Sequence, residues 1–87
     1  MAETTIVQNG RDPVVAYNST QNEYLVVWVK DMYENTGAVY GQRVSAQGAL
    51  LDSPFIINTV EAGSGAETPA VAYNSVANEY LVVWVKW

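Results

Sequence analysis

The chain is predicted to be all-β, a run of short antiparallel strands built on an internal repeat, and three observations carry that prediction. Residues 13–30, PVVAYNSTQNEYLVVWVK, return at 69–86 as PAVAYNSVANEYLVVWVK, identical at 15 of 18 positions with an offset of 56. The apolar segments are rich in Val, Ile, Tyr and Trp, are separated by clusters of Asn, Gly, Ser and Asp, and show no helical period. The repeated YLVVWVK is apolar on both faces of a strand, with Tyr24, Val26 and Trp28 on one and Leu25, Val27 and Val29 on the other. Strands of that kind are covered from both sides.

Seven strands are expected, near residues 4–7, 14–17, 24–30, 38–44, 55–58, 70–73 and 80–87. The first is the β-branched TTIV; the second follows Pro13, placed where a first strand residue needs no ladder donor. The third is the two-faced YLVVWVK. The fourth carries Gln42 and Arg43 and reads as closer to solvent, whereas the fifth, FIIN, is again apolar on both faces. The sixth and seventh repeat the second and third, with Pro69 in the place of Pro13. Asn9-Gly10 and Gln47-Gly48 supply residues that tolerate positive φ at the breaks. The remaining loops, at 18–23, 31–37, 45–52 and 61–68, are short enough for antiparallel neighbours, and Gly63-Ser64-Gly65 reads as a flexible connection.

One 56-residue unit therefore holds four antiparallel strands buried on both faces, the description of a β-propeller blade. The 87 residues form a single domain: residues 1–12 as the fourth strand of a preceding blade, 13–68 as a complete blade and 69–87 as the first half of a second. That is about 1.75 blades, the alternative being a seven-stranded sandwich or barrel. Repeat units bury their apolar faces against neighbours, and about three or more are normally needed for stability. With 49% hydrophobic and only 15% charged residues, the chain has more apolar surface than one small core uses. A homo-oligomer is expected. Its interface is placed at Ile6, Val7, Tyr80, Val82, Trp84 and Trp87, with the last strand pairing with residues 4–7 of a neighbouring chain. Closure by three chains would make about six blades, and the rival is a two-fold pairing of the last strands.

Composition excludes much chemistry. With neither His nor Cys there is no Ser-His-Asp or Cys-His arrangement, no disulfide and no imidazole or thiolate ligand. A net charge of −5, with Arg11, Lys30, Arg43 and Lys86 as the only cations, leaves no basic stripe for nucleic acid or for an anionic membrane. The longest apolar run, 24–29, is far short of the ~20 residues that span a bilayer, and the N-terminus does not read as a signal peptide. Neither catalytic residue, metal nor cofactor is assigned. Glu23, Glu79, Asp12 and Glu67 keep a carboxylate-dependent glycoside hydrolase open as an alternative, but each lies beside a turn, where strand entry and solubility explain it. Asp31, Glu34 and Asn35, closed by Gly37, read as a solvated loop before a calcium site. Asn18-Ser19-Thr20 has the form of a glycosylation sequon that Asn74-Ser75-Val76 lacks, and is assigned to the turn. Tyr24, Trp28, Tyr80 and Trp84 share one strand face and read as packing between repeats, which leaves Tyr33 and Trp87 as candidate ligand contacts.

The combination P-x-V-A-Y-N-S, N-E-Y-L-V-V-W and V-Y-G-Q-R-V-S-A-x-G within one unit resembles the tandem β-propeller repeats of large secreted or surface bacterial proteins. The resemblance covers essentially the whole chain and implies an extracellular or cell-surface setting. It also implies a structural or binding module, with a glycan or protein ligand at the clefts between blades. The chain departs from that pattern in having fewer than two blades, which leaves an engineered or excised fragment without selected activity as a further reading.

Overall fold

The computed structural model describes residues 3–5, 10–30, 38–58 and 66–86. Among them the protein is all-β: β1 (Gly10–Asn18), β2 (Glu23–Lys30), β3 (Ala38–Ser45), β4 (Leu50–Asn58), β5 (Ala66–Asn74) and β6 (Glu79–Lys86). The first four form an antiparallel meander in the order β1-β2-β3-β4, and β5-β6 form a separate antiparallel hairpin. Of the expected first strand, Thr4 and Thr5 carry no strand structure, and Ile6 and Val7 lie outside the described residues. Six of the seven expected strands stand among the described residues.

The repeat writes the same local structure twice. Asn18 Oδ1 accepts the backbone N–H groups of Thr20 and Gln21, and Asn74 Oδ1 accepts those of Val76 and Ala77. Both turns place an Asn, Asn22 or Asn78, at a φ of 53°. An Asx turn of this kind fixes the hairpin locally. Upstream, Arg11 faces Val29 and Val14 faces Val27, so Asp12 and Pro13 together oppose Trp28 alone. β5 shows the same irregularity between Glu67 and Ala70. The bulged residues Asp12 and Thr68 have φ values of 56° and 53°. Pro13 and Pro69 thus sit inside bulges rather than at strand starts, and each strand begins earlier than expected. A bulge tolerates the missing N–H as well as a strand start does.

The third and fourth strands correct the sequence reading further. Gly48, at a φ of 91°, donates its N–H to the Ser45 carbonyl in a tight turn, so β4 begins at Leu50 and not at Phe55. Residues 52–54 of β4 bow away opposite the single Gln42. Gln42 is fully buried instead of near solvent, and its amide Nε2 donates to the carbonyls of Leu51, Asp52 and Arg43 at 2.9, 3.1 and 2.9 Å. The side chain replaces ladder bonds that the bowed strand cannot make.

Paired residues share a sheet face, which sorts the meander into two surfaces. On one lie Val15, Tyr17, Tyr24, Val26, Trp28, Tyr40 and Val44; on the other lie Val14, Leu25, Val27, Val29, Val39 and Gly41. The second surface is the core. Leu25, Val27 and Val39 are buried there with Val14 and Ile57 packed around them, and the hairpin lays Val71, Tyr80, Val82 and Trp84 on top. β5 lies nearest β1, so the two sheets stack face to face with their first strands together. On the first surface Trp28 is buried and stacks on Tyr40 at 6.0 Å between ring centroids, with Lys30 Nζ 5.9 Å from the Tyr40 ring.

Candidate functional site

Among the described residues, two partly open apolar faces stand at opposite ends of this stack. The β5-β6 hairpin repeats β1-β2, so each position can be compared with its equivalent 56 residues on. The core face of β2 holds Leu25, Val27 and Val29 at 4%, 0% and 0% exposure. Their equivalents Leu81, Val83 and Val85 stand at 66%, 49% and 51%. In the opposite sense, Pro69 is buried and Val71 is half-buried against the core, whereas Pro13 and Val15 are exposed, Val15 at 59%. At these positions identical chemistry is covered in one copy and open in the other, whereas Tyr24 and Val26 are half-buried like their equivalents Tyr80 and Val82, and Trp28 is buried where Trp84 is half-buried. Area removed from water contributes roughly 25 cal/mol per Å². Each open face is therefore a site of unrealised burial.

Inside the chain the contact between repeats is specific as well as apolar. The Tyr73 hydroxyl bonds with Thr20 Oγ1 in the meander and with Asn78 Oδ1 in its own turn. A phenol has one proton to give and a carbonyl oxygen can only accept, so Tyr73 donates to Asn78 and receives from Thr20. Tyr73 also packs against Tyr80 at 5.2 Å, as Tyr17 packs against Tyr24 at 5.4 Å. Burial raises the Tyr80 phenol above its ordinary range, opposed first by the neighbouring Asn18 side chain. Among the described residues the Tyr80 hydroxyl has no partner at good hydrogen-bond geometry.

The open face of the meander is concave. A depression of about 500 Å³ is lined by Pro13, Val15, Tyr24, Val26 and Val44, with Glu3, Thr4 and Gly48 among the other contributors. The Thr4 hydroxyl donates to the Gly48 carbonyl nearby. Its apolar floor includes Val15, Tyr24 and Val26, whose equivalents Val71, Tyr80 and Val82 pack on the meander's core.

The carboxylates take structural parts. Glu23 is buried, and both its oxygens accept from Arg43, Nε at 2.7 Å and Nη2 at 3.0 Å, while Arg43 Nη1 also reaches Asp52 at 2.8 Å. This fork gives Glu23 the partner that a buried charge requires, and the guanidinium is held above its ordinary range chiefly by Glu23. Asp12 pairs with Arg11 at 2.9 Å, and Glu79 is exposed. Among the described residues no cluster of three or more His, Cys, Asp or Glu could hold a metal ion.

Of the residues expected at an oligomer interface, Tyr80, Val82 and Trp84 are committed inside the chain, on the face of β6 that packs on the meander. Ile6, Val7 and Trp87, and the candidate ligand contact Tyr33, lie outside the described residues, as do Asp31, Glu34 and Asn35. The sequence does not single out the residues that are open instead, Leu81, Val83 and Val85 with Val15 and Tyr17. The two-faced pattern of YLVVWVK was their signal. Searches with the chain find no matching protein-family model, no matching curated protein and no matching solved structure.

Proposed function

We propose that the protein is a self-assembling structural and binding module, a propeller-like stack of repeats completed by further copies of the same chain. The observation that carries this reading is the reversal of burial between equivalent positions, Leu25 with Leu81 and Val71 with Val15. A monomer leaves Leu81, Val83 and Val85 at one end and Val15 and Tyr17 at the other in water, whereas each added repeat covers one such set. The meander is then a complete blade and the hairpin half of one. Among the described residues the outer edge of β6 has no paired strand, so a strand from another copy can add there as well. Clefts between stacked repeats are where a glycan or protein ligand would be held. The double occupation of Glu23 by Arg43 gives the hydrolase alternative no support.

Solution mass by light scattering tests the proposal, together with melting followed across a hundredfold range of protein concentration. A mass above that of one chain and a melting temperature that rises with concentration are expected, because association is then part of the folding free energy. A monomeric mass with a concentration-independent transition overturns it.

A further inference from the structure

We infer that copies join head to tail, the open face of the β5-β6 hairpin in one copy seating on the open β1-β2 face of the next, and that Val76 marks this seam as different from the one inside the chain. The inference rests on the self-assembly proposed above and names the two surfaces that meet. Its template is the contact the chain already contains. There the β2 face bearing Leu25 and Val27 receives the hairpin face bearing Val71, Tyr80 and Val82. The equivalents of the first group are Leu81 and Val83, and those of the second are Val15, Tyr24 and Val26. Both are already built, since each hairpin has the same turn and bulge and the same register. Seating one on the other repeats the part of the internal contact that β2 makes with the hairpin, with Ala70 in the place of Val14 and no counterpart in the hairpin to Val39 and Ile57. It also covers the depression floored by Pro13, Val15, Tyr24 and Val26.

The seams differ at one polar position. Inside the chain Thr20 bonds the Tyr73 hydroxyl; the equivalents of that pair are Val76 and Tyr17. Tyr17 keeps its bond to Asn22, as Tyr73 keeps its bond to Asn78, but Val76 has no hydroxyl to offer. Val76 stands at 97% exposure, a β-branched apolar residue at the tip of a turn. At the seam it lies against the partner's tyrosine in place of a hydrogen bond. The contact between copies is thus a weaker version of the contact within one.

Two single variants separate head-to-tail joining from two-fold alternatives. Val15→Glu spoils only the meander face and Leu81→Glu only the hairpin face, at positions exposed enough to leave the fold intact by circular dichroism. Each variant alone should be monomeric, and an equimolar mixture should form a one-to-one heterodimer through its one undamaged seam. If either variant keeps the parental mass alone, or the mixture stays monomeric, head-to-tail joining is overturned. A parental chain that is itself monomeric overturns the self-assembly proposal instead. Should either variant fail to fold, Tyr17→Lys and Val83→Lys place charge on the same two faces. Val76→Thr tests the residue alignment: restoring the missing hydroxyl should tighten assembly about two- to tenfold. Unchanged or weaker assembly overturns that alignment.

Discussion

Gly41 tests the packing of the meander most sharply. A Cβ built on Gly41 would meet the Phe55 ring at 2.7 and 2.9 Å and Ile57 Cδ1 at 3.1 Å, where ordinary contact begins at 3.4 Å. Phe55 faces Gly41 across the β3-β4 ladder, so Gly41→Ala must push the ring about 0.7 Å or swing it into water. Overpacking of this kind costs about 1 to 2 kcal/mol at a site whose ring is already partly exposed. For a domain of this size that is a fall in Tm of about 4 to 16 °C. In a Phe55→Ala background only the milder approach to Ile57 Cδ1 at 3.1 Å remains, and Ala exceeds Gly in a strand by about 0.5 to 1 kcal/mol, so the same substitution should become much less costly or neutral. The assay is thermal unfolding by circular dichroism for the four members of the cycle at one fixed protein concentration. Equal losses in both backgrounds would show that Phe55 does not lie over Gly41.

Other perturbations follow from the same contacts. Arg43→Ala leaves the buried Glu23 carboxylate without its fork and should lower Tm, with Glu23→Gln in that background restoring part of the loss; strictly additive effects would refute the coupling. Because burial raises the Tyr80 phenol, the folded state holds its proton more tightly than the unfolded state does. Stability from this group is complete below about pH 9 and falls as pH rises through about 10 and beyond. Tyr80→Phe should remove that part of the alkaline loss in denaturant midpoints, and a difference from the parent that stays constant from pH 8 to 11.5 would refute it. Trp28→Ala, in a buried position, should cost about 3 to 5 kcal/mol and unfold the meander. Trp84→Ala should mainly release the hairpin, seen as faster amide exchange in β5 and β6 with β2 and β3 still protected.

What was legible in the sequence was local or periodic. The repeat announces two equivalent hairpins, Asn18 and Asn74 announce their turns, and YLVVWVK announces a strand covered twice. The burial of Gln42 and Arg43's hold on Glu23 were hidden because polar side chains read as solvent-facing, and only a bowed β4 turns Gln42 into a substitute for the ladder. β4 itself was half missed, since LLDSP has neither alternation nor strand propensity and owes its place to β3. In sequence the bulge at Asp12 and Pro13 looks like a strand boundary because a proline signals either. Most consequential was the choice of face. Sequence names Tyr80, Val82 and Trp84 as interface residues as readily as Leu81, Val83 and Val85, and only the stacking of one sheet on the other decides which set is spent.

The near-identity of the two hairpins also bears on how the chain finds its fold. β5 pairs with β6 in the register that β1 uses with β2, so β2 is as good a partner for β5 as β6 is, and mispairing would go unpunished by side-chain chemistry. Loop closure is what discriminates. The native pairing of β1 with β2 closes residues 19–22, whereas pairing β2 with β5 must close residues 31–65. The entropy of that longer loop disfavours the wrong partner by about 2 kcal/mol. The two Asx turns add to this bias by forming before any distant strand arrives. Two small asparagines thus act as proofreaders, keeping a sequence that has said the same thing twice from confusing its own copies.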